Sequence, residues 1–328
     1  MRSIWLNALR VGVSIGLIAL LAWWTRGRFA QVASLLAAVQ PGWLAAGFIV
    51  YLAVTAALSA RLQQVLSAAA VRVPWLTVTR FTFIGMLFNN FLPTATGGDV
   101  VKAYYIGKST DVAWKAWLGV VGDRMIGSAT FLLLTMAALL ISPQDATLGK
   151  VGWGYVAVGV AMCIGSLGVL WWARRRLASG GAPPWCRRLQ PLLTMLDQSP
   201  RLLRYLTVAA LLSVGAQILF VVAIFLLARS LLLPVGLMEL FLVMPLVAAA
   251  SMVPSINGLG VRESALVLCL GRSVGRDPAL ALALLLLAVL IGTSLIGGVL
   301  YAAQGGRYDR QRAVGYPGLS GVQDARST

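Results

Sequence analysis

The constraint that dominates this chain is a set of apolar runs, each long enough to cross a bilayer. They fall at about residues 4–24, 42–60, 117–141, 151–172, 205–228 and 279–303. A helix needs ~20 largely apolar residues to span the hydrocarbon core of a membrane. Hydrophobic residues make up 59% of the chain and charged residues 11%, whereas a soluble domain carries roughly a quarter charged residues. The sequence therefore specifies an all-α integral membrane protein. Its first run is followed by Arg26 and Arg28 without a clear small-residue cleavage site, so it reads as an uncleaved span.

The basic residues set the orientation. The net charge of +17 sits mainly in the segments between apolar runs, as cytoplasmic loops require. No basic patch with interleaved aromatics lies in a soluble segment, which argues against nucleic-acid binding. Arg174, Arg175, Arg176, Arg187, Arg188 and Arg201 place the loop after run 151–172 in the cytoplasm. Arg2 and Arg10 place the N-terminus there, and Arg307, Arg310 and Arg312 the C-terminus. The loop "SPQDATLG" has no Lys or Arg and belongs outside. Histidine is absent and the three cysteines (163, 186, 269) have no paired spacing, so no metal site or cofactor is expected.

Two shorter runs, about 76–92 and 237–253, end at Pro93 and Pro254. Counting crossings makes each of them half of a re-entrant hairpin. The first two spans return the chain to the cytoplasm near Arg61, and run 117–141 leaves from the cytoplasm, so the segment around Pro93 must enter and exit on one side. The segment around Pro254 does the same from outside. "FLPTATGGDVVK" and "MVPSINGLGVRE" align Pro on Pro, and the same register superimposes run 42–60 on 205–228 and 117–141 on 279–303. With three full spans and one hairpin per half, the second half is upside down. The expected fold is an inverted-repeat helical bundle of about six full spans and two re-entrant helical hairpins. It covers residues 1–305 in pseudo-repeats of about 1–150 and 151–305. The tail at 306–328 reads as polar, disordered and cytoplasmic.

Irregular backbone at membrane depth is tolerated only inside protein or beside water. The hairpin tips are thus expected in the interior. Pro93 and Pro254 end the first half-helices, and the second half-helices begin at about Asp99 and Val261. A helix N-terminus offers free N–H groups and partial positive charge, a ready anion site. Lys102 and Arg262 lie within a turn of these ends. The candidate binding residues are Asn89, Asn90, Thr94, Thr96, Gly97, Gly98 and Lys102 in the first hairpin, with Ser255, Asn257, Gly258, Gly260 and Arg262 in the second. Asn89 and Asn90 would donate side-chain hydrogen bonds. The plainer alternative makes Thr and Asn simple caps, pairs Lys102 with Asp99 and pairs Arg262 with Glu263 or Asp99. Asp123 and Arg124 are adjacent on one helix and need different partners. With Asp99 and Glu263 they are possible coupling or structural charges, and Arg124 could instead snorkel to headgroups.

These motifs carry a resemblance. "NNFLPTATGGDVVKAYYIG", "GDRMIGS" and "PSINGLGVRE" resemble the transmembrane flippase-like region of the lysylphosphatidylglycerol synthase family, over about residues 4–305. Asn90, Pro93, Gly97, Gly98, Asp99 and Lys102 match its first hairpin, with Lys where Arg is common. Asp123 and Arg124 match its acidic-Arg pair. In the second hairpin Pro254, Gly258, Gly260 and Glu263 fit, while Ile256 and Asn257 replace a Pro and a Gly. The resemblance implies translocation of a lipid between leaflets of a bacterial inner membrane, the lipid being made by another protein. Two further readings stay open. One is a non-catalytic scaffold for a separate lipid- or glycolipid-modifying enzyme. The other is a membrane-embedded lipid transferase using Asp99 and Glu263 as acid and base.

Overall fold

The computed structural model describes residues 29–91, 97–110, 113–141, 146–179, 201–251 and 260–304. The expected first span, both hairpin tips, the Arg-rich loop beyond residue 179 and the tail lie outside the described residues. So do Pro93, Thr94, Thr96, Pro254, Ser255, Asn257 and Gly258, and so does the side chain of Asn90.

Every described element is a helix, in the order α1 (Phe29–Ala37), α2 (Pro41–Ala68), α3 (Trp75–Phe91), α4 (Gly97–Thr110), α5 (Ala113–Ile141), α6 (Ala146–Ala178), α7 (Leu202–Ser230), α8 (Leu237–Ala250), α9 (Val261–Leu270) and α10 (Arg276–Gln304). Among the described residues, four helices are long and apolar enough to cross a membrane: α2, α5, α7 and α10 as far as Ala303. Run 151–172 lies within α6, a helix of 33 residues. The other four large helices are shorter. α3, α4, α8 and α9 have 17, 14, 14 and 10 residues. At 1.5 Å per residue they reach about 25, 21, 21 and 15 Å, less than the ~30 Å of a hydrocarbon core.

Local sequence explains the ends. Pro41 opens α2, where its missing N–H is no loss. α3 is described as far as Phe91, two residues before Pro93 in the sequence. α2 and α7 close with the same turn. Val71 donates to the Leu66 carbonyl at 2.8 Å, and Leu233 to the Ala228 carbonyl at 3.0 Å. In each turn one non-glycine residue takes a left-handed conformation, Ala70 at φ 57° and Leu232 at φ 56°. This is the geometry that satisfies the orphan carbonyls at a helix end.

The central pair is α2 and α7, which make the most extensive helix–helix contact and run antiparallel. Near one end Gly47 faces Ala223 and Leu227. Further along, the Tyr51 and Phe220 rings lie 6.2 Å apart, and Arg61 bonds Ser213. A methyl group at Gly47 would meet the Leu227 side chain at 2.9 Å and the Ala223 carbonyl at 3.3 Å, so glycine sets this close approach.

Two pairs of shorter helices pack around this central pair. α3 packs on α4, α2 and α10, and α4 packs on α5; α8 packs on α9, α7 and α5, and α9 packs on α10. Three apolar cores follow among the described residues, the smallest around Ala138, Leu139, Val156 and Leu242. Of the other two, one gathers Leu62, Leu66, Val78, Phe81, Ile84, Ala103, Ile106 and Val120 around α3 and α4. The larger gathers Ile224, Leu227, Leu240, Met244, Leu266, Leu270, Leu282 and Leu286 around α8 and α9. Trp43, Trp75, Trp114, Trp117 and Trp153 are exposed among other large apolar side chains. An outer surface of that kind suits lipid, with tryptophan at the headgroup level.

Candidate functional site

The first hairpin is held by two glycines. A methyl group at Gly85 on α3 would lie 2.8 Å from the Gly98 carbonyl and 2.9 Å from Lys102 Cγ, and one at Gly98 would overlap the Gly85 carbonyl. The two backbones therefore touch, and the Lys102 stem runs along α3. Phe81 stacks on Tyr105 at 5.4 Å further along the hairpin. Asn89 closes the other end: its Oδ1 accepts the Gly98 N–H at 2.6 Å. Its oxygen caps α4, so one of the N–H groups at the head of that helix is already taken, while the amide N–H groups of Asn89 stay available as donors.

The charges at this end converge on one carboxylate. Asp99 stands in the first turn of α4 and is 6% exposed. Lys102, one turn on, brings Nζ to 2.7 Å from Asp99 Oδ1. Arg124 reaches across from α5, and its Nε donates to Asp99 Oδ2. The cluster holds two cations and one anion, so it keeps a net positive charge. The two cations differ in access: the Lys102 side chain is 15% exposed and the Arg124 side chain 53%. Arg124 is thus the more accessible cation of this cluster. Gly97 and Gly98 are both buried under it.

The second hairpin is built differently. Gly260 takes φ 82°, which glycine adopts at no steric cost, and precedes α9. Glu263 turns back so that Oε2 accepts the Gly260 N–H at 2.7 Å, the acidic half of a capping box. Its Oε1 accepts from Arg262 Nη2 at 2.7 Å. Glu263 is buried and has a partner on each oxygen at the start of α9. Arg262 is largely buried beside it, with Nε unbonded among the described residues. Among those residues the charges at α4 and the charges at α9 form separate clusters.

Asp123 belongs to a third cluster, and most of its members were not singled out from sequence. Arg61 Nε and Nη2 donate to the two Asp123 oxygens at 2.7 and 2.8 Å, and Nη1 donates to Ser213 Oγ at 2.8 Å. Ser213 lies 2.6 Å from Thr130 Oγ1, and Gln217 donates to the Gly127 carbonyl at 2.9 Å. Both ionic partners are only 6% exposed. The sequence reading ended its second span before Arg61 and used that residue as a loop marker. The helix instead continues through Ala68 and carries Arg61 inside the protein. A signal was available in Ser213 and Gln217, two polar residues four apart on one face of the apolar α7, the first of which bonds Arg61.

The chain belongs to the lysylphosphatidylglycerol synthase TM region family, whose model matches residues 7–298. No curated protein matches it. The family places the chain among multi-pass membrane proteins connected with lipid.

Proposed function

We propose that this protein is a lipid translocase that moves an anionic, phosphate-bearing lipid between the leaflets of a bacterial inner membrane. The observation that carries the reading is the net-positive cluster of Asp99, Lys102 and Arg124, with Arg124 half exposed, at the head of a helix too short to span. Charge at such a place in a membrane protein is costly and is kept for function. A guanidinium suits a phosphate because its donors match two oxygens at once. Asp99 holds the two cations in place. The headgroup would cross in a polar cavity between the halves while the acyl chains stay in the bilayer.

An inverted repeat with two re-entrant hairpins accounts for the architecture. Three observations support it. The equivalent helices α2 and α7 run antiparallel. The two halves have matching helix neighbours. The same left-handed turn ends both α2 and α7. Folds of this kind place their sites at the repeat interface and alternate access by moving one half against the other. Both termini would then face the cytoplasm.

The test is flipping in proteoliposomes. Fluorescent phosphatidylglycerol and a polyprenyl phosphate are reconstituted with purified protein, and outer-leaflet label is quenched over time. Wild type should flip at least one of them. Arg124→Ala should lower the activity strongly, to a residual rate still above that of empty vesicles, with normal folding, and Lys102→Ala should reduce it less. Rates equal to those of empty vesicles, for every headgroup and under an imposed pH gradient, would refute translocation. One observation favours a second reading, a scaffold for a separate lipid-modifying enzyme: Lys102 and Arg262 are each paired within the protein. That reading gains if Arg124→Ala and Lys102→Ala leave function in the cell intact.

A further inference from the structure

We propose that Arg61 is a positioning residue for the anion site: its buried pair with Asp123 fixes the rotation of α5, so that Arg124 meets Asp99, and ties that site to α7 of the other half. The proposal rests on the reading of Asp99, Lys102 and Arg124 as the anion cluster.

Adjacent residues on a helix point about 100° apart. Asp123 and Arg124 use that angle. Asp123 faces α2, where both of its oxygens are gripped by Arg61. Arg124 faces α4, where it bonds Asp99. A two-pronged guanidinium–carboxylate bond holds direction as well as distance, so rotating α5 to release one contact strains the other. One turn further along α5, Gly127 leaves space for the guanidinium: a methyl group there would sit 2.9 Å from Arg61 Nη1. The third arm of Arg61 goes to Ser213, which with Thr130 and Gln217 joins α5 to α7. α5 is thereby held from α2, α4 and α7 by polar contacts within an otherwise apolar contact surface.

Stability does not require this arrangement. A buried ion pair is often replaced by apolar residues of similar volume with no loss. What an apolar pair cannot supply is a fixed azimuth for the next residue along the helix. Arg61 acts through Arg124 and touches no ligand itself.

The test separates positioning from folding and from transport. In a chain whose three cysteines are replaced by alanine, Asp99→Cys and Arg124→Cys are linked with a short bis-methanethiosulfonate. Cross-linking should be efficient with the native Arg61–Asp123 pair and should fall severalfold with Arg61→Met/Asp123→Leu, at equal folded yield by gel filtration. Arg61→Lys, which keeps the charge but loses the two-pronged bond, provides the same test should the apolar pair fold poorly. In vesicles of phosphatidylglycerol and phosphatidylcholine, Arg61→Met/Asp123→Leu should raise the phosphatidylglycerol fraction needed for half-maximal flipping. In an Arg124→Ala background the same exchange should have no further effect, since residues that act through one another are not additive. Equal cross-linking yields, or additive losses, overturn the proposal. Should wild type move no lipid, the translocase reading fails while the cross-linking result still decides the positioning role.

Discussion

Replacing Gly98 with alanine should force the first hairpin open. The added methyl group would overlap the Gly85 carbonyl and come within 2.7 Å of Asn89 Oδ1. The carbonyl is backbone and cannot rotate aside, so α3 and α4 must separate. Separation stretches the 2.6 Å cap from Gly98 to Asn89 and draws Lys102 away from the α3 surface it lies on. Overpacking of this kind costs about 1–3 kcal/mol, and a lost N-terminal cap adds about 1 kcal/mol. Alanine's better helix propensity returns about 1 kcal/mol. The net cost is about 1–3 kcal/mol, toward the upper end because the obstacle is main chain. Thermal unfolding of the purified protein in detergent should show a midpoint lowered by a few to about 10 °C. Gly215→Ala is the matched control: it lies within α7 and an added methyl group meets nothing within 4 Å. That variant should keep the wild-type midpoint or exceed it. A Gly98→Ala midpoint equal to that of Gly215→Ala would refute the close hairpin contact and the site geometry built on it.

Arg61→Met alone strands the buried Asp123 carboxylate, at a cost of about 3–5 kcal/mol; folded yield on gel filtration should drop sharply and recover in Arg61→Met/Asp123→Leu. Glu263→Ala removes the acceptor of the Gly260 N–H and the partner of Arg262. The lost cap costs about 1 kcal/mol and the largely buried Arg262 left without its partner up to about 3–5 kcal/mol more, seen as faster hydrogen exchange in the first turn of α9. A methyl group at Gly297 on α10 would overlap the Phe83 carbonyl of α3, so Gly297→Ala should lower the unfolding midpoint as Gly98→Ala does, with flipping lost in proportion.

Much of the fold was legible because a membrane allows few solutions. Apolar run length marked α2, α5, α7 and α10, whereas proline was a weaker guide, since Pro245 lies inside α8. The limit was reached where one residue type serves two purposes. Arg61 follows an apolar run as a loop residue would, and nothing local separates an arginine that leaves the membrane from one that finds a carboxylate inside it. The partner, Asp123, lies in another helix, so the distinction is tertiary. Asn89 shows the same limit on a smaller scale. Its amide offers a donor and an acceptor, and which one faces the site depends on how closely α4 approaches α3. That approach is set by Gly85, which the hairpin motif does not include. Glu263 was readable in principle, since a carboxylate three residues after a glycine that can serve as an N-cap is a capping signal.

The two halves, related as proposed, are not electrically equivalent, and this bears on which half holds the ligand. The register that places Pro254 on Pro93 also places Val222 on Arg61, Leu284 on Asp123 and Leu285 on Arg124. Each charged member of the α2–α5 network is thus apolar in the second half, where Leu285 is buried in the larger core. The charges near α9 cancel as one Arg262–Glu263 pair, whereas the α4 cluster keeps an excess cation. An anionic headgroup would then stay with the first half through the transport cycle. The second half would serve as the apolar body against which it moves, with Ser213 and Gln217 as its polar contacts to the network. Introducing Leu285→Arg with Leu284→Asp would place the missing pair in the second half without its Arg61 equivalent. Two buried charges would be added there with no partner from α7, so the variant should lose stability and gain no flipping. Restored flipping in an Arg124→Ala background would show instead that either half can hold the headgroup.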